Sequence, residues 1–429
     1  MARIVLSTIG TRGDLNPFLA IASGLRSRGH EVVFAIEDVL ARMVIREGFP
    51  VSPLSGDVMS SLAPHVSRLV GGVTPLRSVR TMFDQWLQPT LQPKVDDLVA
   101  ACDGADLVVA RGGHFAASIA AELCDIPRVE IAPTPMTIRS AYLNPQLFPF
   151  ERPHKLPGSA NRLAWWAVAA ASGRLADSAV NQVRVQYGLA PLRHAMGAGD
   201  HSRILTAVIV SAAFLPPPPD WPHYARVVGY CFWDTPIGWR EPERLSSFLE
   251  GGPPVVAVSF GSLAPYVGAP LRRPYRTAVS AVLNRGHRAL VIGAPAGTFL
   301  ERPPATVLSI PFAPFSEVYP RCAGAIHHGG AYTIAEALRA GIPSLAIPWG
   351  IDQFFNSGQL SRIGAGHWMH QRLFNTLTAR RQVDRLVRDA ALRVRAQTIR
   401  TQIEREDGVA TVCAAIESAL SRRPPKSRA

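Results

Sequence analysis

Residues Ile326–Leu338 read IHHGGAYTIAEAL, an apolar run that closes in two histidines and two glycines before a segment of helical character opens at Thr333. These residue types in this order suit a pyrophosphate. Gly329-Gly330 lets the backbone pass close to a ligand. A helix N-terminus just beyond supplies N–H groups without intrahelical partners and a partial positive charge. His328 and Thr333 add side-chain donors. Such a site neutralises phosphate charge without a metal ion. The same stretch also reads as a glycine-rich turn before an ordinary helix, with His328 in the core.

The elements that must position this turn follow an alternating rhythm. Arg3–Ile9 reads as a buried strand, Gly10-Thr11-Arg12-Gly13 as a turn, Pro17–Arg28 as an amphipathic helix and Glu31–Ile36 as a second strand. Pro17 suits a first helical position and Gly29 a helix end. Further strands are expected at Leu107–Ala110 and Arg128–Ile131. Between them lie less regular, apolar stretches, Asp57–Leu91 and Thr134–Ser172, of the kind that build a binding pocket on a parallel sheet. Pro216–Pro219 forbid a helix and mark a linker. The rhythm then restarts with strand Val255–Ser259, turn Gly261-Ser262, helix Pro270–Arg285 and strand Ala289–Ile292. Strand Gly324–His327, helix Thr333–Ala340 and strand Ser344–Ile347 follow.

The expected fold is α/β, two Rossmann-like doubly wound domains facing across a cleft. The division reads as residues 1–215 for the first domain, 216–233 for the linker and 234–405 for the second domain. A closing helix over 406–421 and a basic, disordered tail over 422–429 complete it.

Composition narrows the class. At 429 residues, 47% hydrophobic and 18% charged, the chain has length for two cores and is not globally disordered. The run Leu163–Ser172 is half the ~20 residues a transmembrane helix needs. Met1-Ala2-Arg3 leads straight into Ile4-Val5-Leu6, without the apolar core of a signal peptide, so a cytoplasmic location is expected. Cys102, Cys124, Cys231, Cys322 and Cys413 are scattered and odd in number, which fits free thiols rather than a disulfide framework or a zinc site. The formal charge of +13 rests on arginine, with lysine only at 94, 155 and 426. No basic stripe interleaved with aromatics accompanies it, which argues against nucleic acid. The charge does favour anionic substrates, and contact with an anionic membrane surface. Monomer and homodimer both remain open.

Taken in order, GTRGDLNP near the start, VSFGS, FAPF, HHGGAYTIAEALRAGIPSLAIP and DQFFN resemble the GT-B fold, nucleotide-sugar-dependent UDP-glycosyltransferase superfamily. The likeness is to its bacterial branch, with rhamnolipid rhamnosyltransferases, sterol glucosyltransferases and glycopeptide-antibiotic glycosyltransferases. The resemblance implies that Phe312 lies against the nucleobase and that Ala313 pairs with the base edge through its backbone. It implies diphosphate contacts from His328, Gly330 and Thr333, with Ala331, Thr11, Gly13 and Ser262 on the same donor side. Glu336 would accept from the ribose hydroxyls, and Asp352 and Gln353 would bind the donor sugar. Read alone, Phe312 is also a core residue, Glu336 a solvated helix residue and Asp352-Gln353 a helix cap. Tyr332 departs from the Gly or Asn usual at its place and is expected to narrow the site or to reach the sugar or acceptor. Phe315 replaces a polar residue common in the superfamily.

In the Gly-His-x-x-Pro turn of much of this superfamily a histidine deprotonates the acceptor; here Asp14 holds that place in Gly13-Asp14-Leu15-Asn16-Pro17. The resemblance therefore implies Asp14 as general base in a single, inverting displacement; the residue also suits a helix N-cap region. His114, Phe83, Trp86 and Trp165 are candidates for the acceptor side, with Leu163, Trp166 and Val168 beside them. No DxD motif is present to hold a metal, and no cofactor is expected beyond the nucleotide diphosphate sugar. The expected activity is transfer of a hexose from a UDP- or dTDP-sugar to a hydroxyl of a hydrophobic small molecule, a natural product, lipid or sterol. Glu336 leans towards uridine. The alternatives are a sugar-nucleotide epimerase of the same fold and a non-catalytic nucleotide-sugar-binding partner.

Overall fold

The computed structural model describes residues 1–57, 80, 83–145, 157–197, 199–299, 303–350 and 352–421, without the side chains of Trp86, Ser172, Arg174 and Leu175. The expected tail over 422–429 and the side chain of Trp86 thus lie outside the described residues.

Strands such as Ile4-Val5-Leu6 and Leu107-Val108-Val109 are apolar on both faces, the pattern of a parallel sheet covered by helices on both sides. They assemble so. In the first half run β1 (Arg3–Ser7), α1 (Arg12–Ser27), β2 (Glu31–Glu37), α2 (Asp38–Arg46), β3 (Val51–Leu54), α3 (Gln88–Ala101), β4 (Leu107–Arg111), α4 (Phe115–Leu123), β5 (Arg128–Ala132), α5 (Gly158–Gln186), β6 (Thr206–Val208) and β7 (Ala225–Val227). Their parallel sheet has the order β3-β2-β1-β4-β5-β6-β7. Val5, Ala35 and Val108 face α3, α4 and α5, while Ile4, Leu6, Phe34 and Val109 face α1 and α2.

The second half contains α6 (Glu243–Glu250), β8 (Val255–Ser259), α7 (Ala269–Leu283), β9 (Arg288–Ile292), β10 (Val307–Ile310), β11 (Gly324–His327), α8 (Ala331–Ala340), β12 (Ser344–Ala346), α9 (Asp352–Arg362) and β13 (Gly366–Trp368), then α10 (Thr376–Arg388), α11 (Ala390–Ile403) and α12 (Gly408–Ser421). Its sheet order is β10-β9-β8-β11-β12-β13, again parallel. Each sheet therefore reverses its winding direction once, between β1 and β4 in the first and between β8 and β11 in the second. Crevices beyond the carboxyl ends of strands at such reversals are where ligands bind.

Two expectations need correction. The helix near the start begins at Arg12, not Pro17, because Thr11 caps it: its Oγ1 accepts from Gly13 N while Asp14 reaches back to the Thr11 N–H. Pro17 consequently sits inside α1. The prolines Pro216–Pro219 are not the link between domains; they lie between β6 and β7, both strands of the first sheet. The closing helix α12 returns to that first domain, where Val412, Cys413 and Ile416 share a core with Leu25 and Phe18 of α1. Between the domains an apolar cluster joins Val210, Phe214 and Tyr230 to Ile334, Leu338 and Phe355. No helix among the described residues is long and apolar enough to cross a membrane.

A candidate active site between the two sheet reversals

After β1 the chain turns at Gly10, whose φ is +116°. The position must be glycine for a second reason: a Cβ there would lie 2.4 Å from Asp14 Oδ2. That carboxylate oxygen accepts from Thr11 N at 2.9 Å and from Thr11 Oγ1 at 3.2 Å. The other, Oδ1, accepts from Arg111 Nε at 2.9 Å, at the carboxyl end of β4. The first turn of α1 thus presents an oriented carboxylate, about one-fifth exposed, at the reversal of the first sheet. Asp14 is both a capping residue and a paired, accessible carboxylate.

The facing domain supplies the glycine turn. At Gly329, with φ +85°, the chain leaves β11, and α8 begins after Gly330 without any side-chain cap on its first N–H groups. A Cβ on Gly330 would stand 2.5 Å from His328 Nε2, and one on Gly261 2.7 Å from the same ring, so His328 is held between two glycines from neighbouring loops. Burial lowers His328 to about 4, and burial with the His328 charge lowers His327 to about 3; both rings are neutral near pH 7. His327 Nδ1 accepts from Gly329 N at 3.0 Å, fixing the turn from beneath. His328 Nδ1 has no hydrogen-bond partner. Thr333 is buried in the first turn of α8, and Ser262 is exposed beside Gly261.

At the start of α9, Asp352 Oδ2 accepts from Asn356 Nδ2 at 3.1 Å, and the same amide donates to Gly329 O at 3.2 Å. Gln353 Oε1 accepts from Trp349 N at 2.8 Å. Asp352 is pushed up to about 6 by burial and by the charge of Asp14, with Arg111 opposing. The two carboxylates, one from each domain, therefore feel one another across the cleft. A Cβ on Gly13 would stand 3.5 Å from Tyr332 Cβ, so the first turns of α1 and α8 meet at this boundary. Further along, the Arg12 guanidinium lies 4.0 Å over the Phe312 ring. Ala313 is buried. Glu336 is 2% exposed and pushed up to about 7 by burial, with Arg339 opposing; its Oε2 lacks a hydrogen bond and lies 3.9 Å from Arg339.

Two family models match the chain: the glycosyltransferase family 28 N-terminal domain over residues 4–129, and the erythromycin biosynthesis protein CIII-like C-terminal domain over 288–417. Over 426 residues, 97% of each chain, it is 31% identical to O-mycaminosyltylonolide 6-deoxyallosyltransferase of Streptomyces fradiae. The chain belongs to the GT-B UDP-glycosyltransferase superfamily. This glycosyltransferase is also 27% identical over 438 residues to the sterol 3-beta-glucosyltransferase of Penicillium rubens, covering 96% of its own length but 30% of that longer protein. Solved structures of like fold include the glycosyltransferase of kitacinnamycin, with TM-score 0.73, 20% identity and coverage of 98% and 99% of the two chains. Another is VinC in complex with dTDP, with TM-score 0.69, 18% identity and coverage of 98% and 100%.

The glycosyltransferase gathers Thr11, Gly13 and Asp14 on one side of the boundary and Ala331, Tyr332 and Thr333 on the other. Gly261 with Ser262, His328 with Gly330, and Asp352 with Gln353 adjoin the same glycine turn. Tyr332 stands at the boundary against Gly13, with Glu336 facing its hydroxyl. Its hydroxyl accepts from Trp233 N at 3.1 Å and donates to Trp233 O at 3.0 Å, making it a strut to the segment that joins the domains. Both acceptor-side aromatics whose side chains are described are buried. Phe83 is buried in the core against Phe115, 6.5 Å between ring centroids, and the Trp165 indole donates to Leu143 O at 2.6 Å. Leu163 and Trp166, by contrast, are exposed.

His114 is buried beneath the Asp14 side, its Nε2 2.9 Å from Ser7 Oγ. Because that hydroxyl donates to Ala35 O at 2.7 Å, it accepts from His114, and Nε2 carries the proton. Burial, with the charges of Lys94, Arg111 and Arg128, lowers His114 to about 3, so the ring is neutral near pH 7. Arg111, Arg12, Asn356 and Trp233 escaped the sequence reading. Arg111 ends a strand at the sheet reversal, and Asn356 stands in DQFFN; those were the signals available.

Proposed function

We propose that this glycosyltransferase moves a hexose from a UDP- or dTDP-sugar to a hydroxyl of a hydrophobic natural product or sterol-like molecule. The transfer is a single inverting displacement that needs no metal, with Asp14 as general base. The observation that carries this reading is Asp14 itself: a carboxylate held by Thr11 and Arg111 and left partly open, opposite the uncapped start of α8.

In the proposed step the acceptor O–H gives its proton to Asp14 as its oxygen forms a bond to the anomeric carbon. The bond from that carbon to the diphosphate oxygen breaks, and its electron pair leaves with the nucleotide. Charge growing on the diphosphate meets the first N–H groups of α8, the Thr333 hydroxyl and the N–H of the neutral His328 ring. Asp352 and the amide of Gln353 would bind sugar hydroxyls; Asn356, which ties α9 to the glycine turn, supports this. Phe312 offers a face to the base. Glu336, buried and with one oxygen unpartnered, fits a hydroxyl donor such as the ribose.

The acceptor class is taken from the relatives, an antibiotic macrolide glycosyltransferase and sterol glucosyltransferases. The dTDP bound in VinC supports a nucleoside diphosphate in this fold. Contact with an anionic membrane is consistent with the +13 charge. The test is incubation with UDP-glucose, dTDP-glucose and dTDP-rhamnose against macrolide, sterol and hydroxyalkanoyl acceptors in the presence of EDTA. The anomeric configuration of any product is read by NMR. An inverted glycoside supports the proposal; a retained configuration, or loss of transfer on chelation, refutes the mechanism.

A further inference from the structure

We infer that Arg111 is a positioning residue for transfer, aiming one lone pair of Asp14 at the acceptor hydroxyl and electrostatically joining that base to Asp352 on the donor side. The inference rests on Asp14 being the general base. Arg111 closes β4, and its guanidinium is anchored twice: Nη1 donates to Gly112 O at 3.0 Å and Nε to Asp14 Oδ1 at 2.9 Å. Thr11 N and Thr11 Oγ1 both donate to Oδ2. A carboxylate offers about four lone-pair sites. Three are therefore occupied, and the remaining site is on Oδ1, beside the guanidinium. The acceptor proton would be received there, next to a fixed positive charge.

The charges around the pair make Arg111 the hinge of the cluster. Burial alone would lower its guanidinium, but Asp14, then Asp352 and Glu130, outweigh burial and leave it raised. Asp14 comes from α1, Asp352 from the start of α9 in the other domain, and Glu130 from β5. His114 at the start of α4 and Tyr332 on α8 also border this region; the first is lowered to about 3 and the second raised well above its ordinary value, so both are neutral in the working range. Arg111 is ion-paired to Asp14, and the charge of Asp14 helps to push Asp352 up, so removing the guanidinium takes the paired cation away from two carboxylates of opposite domains. Arg111 thus allows the domains to bring a base and a sugar-binding carboxylate together.

The test is the pH profile of kcat/KM for the full chain and for R111Q and R111K, alongside D14N. Loss of the guanidinium paired with Asp14 in R111Q should move the acid limb to higher pH, with activity recovering at high pH. Lysine keeps the charge but lacks the two-point hold, so R111K should retain the parental limb while kcat falls by about tenfold or more and acceptor KM changes little. An unmoved limb in R111Q with a uniform loss at every pH, or parental kcat in R111K, overturns the inference. R111K decides the positioning claim even if R111Q fails to fold. If D14N turns over like the parent, the base assignment itself fails, an outcome separate from either Arg111 result.

Discussion

Replacing Tyr332 with Phe deletes one oxygen at the domain boundary and leaves the ring in place, edge-on to Phe232 at 6.5 Å and against Gly13. The lost hydroxyl accepts one hydrogen bond and donates another, at 3.1 and 3.0 Å, both with the backbone of Trp233. A buried peptide group deprived of a partner costs about 1–3 kcal/mol. Two such groups are affected, but Trp233 is only half-buried and water reaches part of the site, so the net loss should be about 1–3 kcal/mol. For a chain of this length the expected fall in Tm is about 1–3 °C. Because both hydrogen bonds of the hydroxyl are to the Trp233 backbone, with Glu336 beside it, Kd for UDP and dTDP should change by less than about threefold, or about 0.7 kcal/mol. Differential scanning calorimetry and isothermal titration of the same preparations read both quantities. A parental Tm with donor affinity reduced tenfold or more would refute this assignment and return the phenol to the donor.

Gly330→Ala is compatible with the backbone, at φ −62°, but its Cβ would press to 2.5 Å from His328 Nε2 while Gly261 blocks retreat on the other side. Overpacking of this kind costs about 1–3 kcal/mol, so nucleotide affinity should fall about tenfold or more with the fold intact; parental affinity by titration would contradict the packing of His328. Glu336, raised from 4.5 to about 7, holds its proton more tightly folded than unfolded, so its contribution to stability declines as pH rises from about 4.5 to about 7. E336Q should therefore flatten part of the loss of Tm between pH 5 and 8 and melt above the parent at pH 8. An unchanged pH dependence would show that Glu336 is not the buried carboxyl described.

The alternation of apolar strands and glycine turns was legible in the sequence because it is local: Val255–Ser259 and Gly324–His327 have the same bounds in the structure. So was the glycine turn. The start of α1 was misplaced because proline at a first helical position is a strong signal, and the Thr11–Asp14 cap, which starts the helix five residues before Pro17, is a stronger one. Pro216–Pro219 do exclude helix, but which sheet β7 joins is set by pairing with β6, a tertiary fact that composition cannot carry. The partners of the site residues were hidden for the same reason. Arg111 stands 97 positions from Asp14, and Trp233 stands 99 from Tyr332. Phe83 and Trp165 are apolar in either role, and only the fold separates core from pocket wall.

The central claim is that Asp14 removes the acceptor proton. Its most direct test is the kcat of Asp14→Asn with a competent donor and acceptor, measured beside its Kd for UDP and dTDP. Asparagine preserves the size of the side chain and its acceptor oxygen but cannot take up a proton. We expect donor binding within about threefold of the parent and kcat reduced by about 10²–10⁴-fold, the usual contribution of general-base catalysis. Turnover within tenfold of the parent, with donor binding intact, would contradict the account.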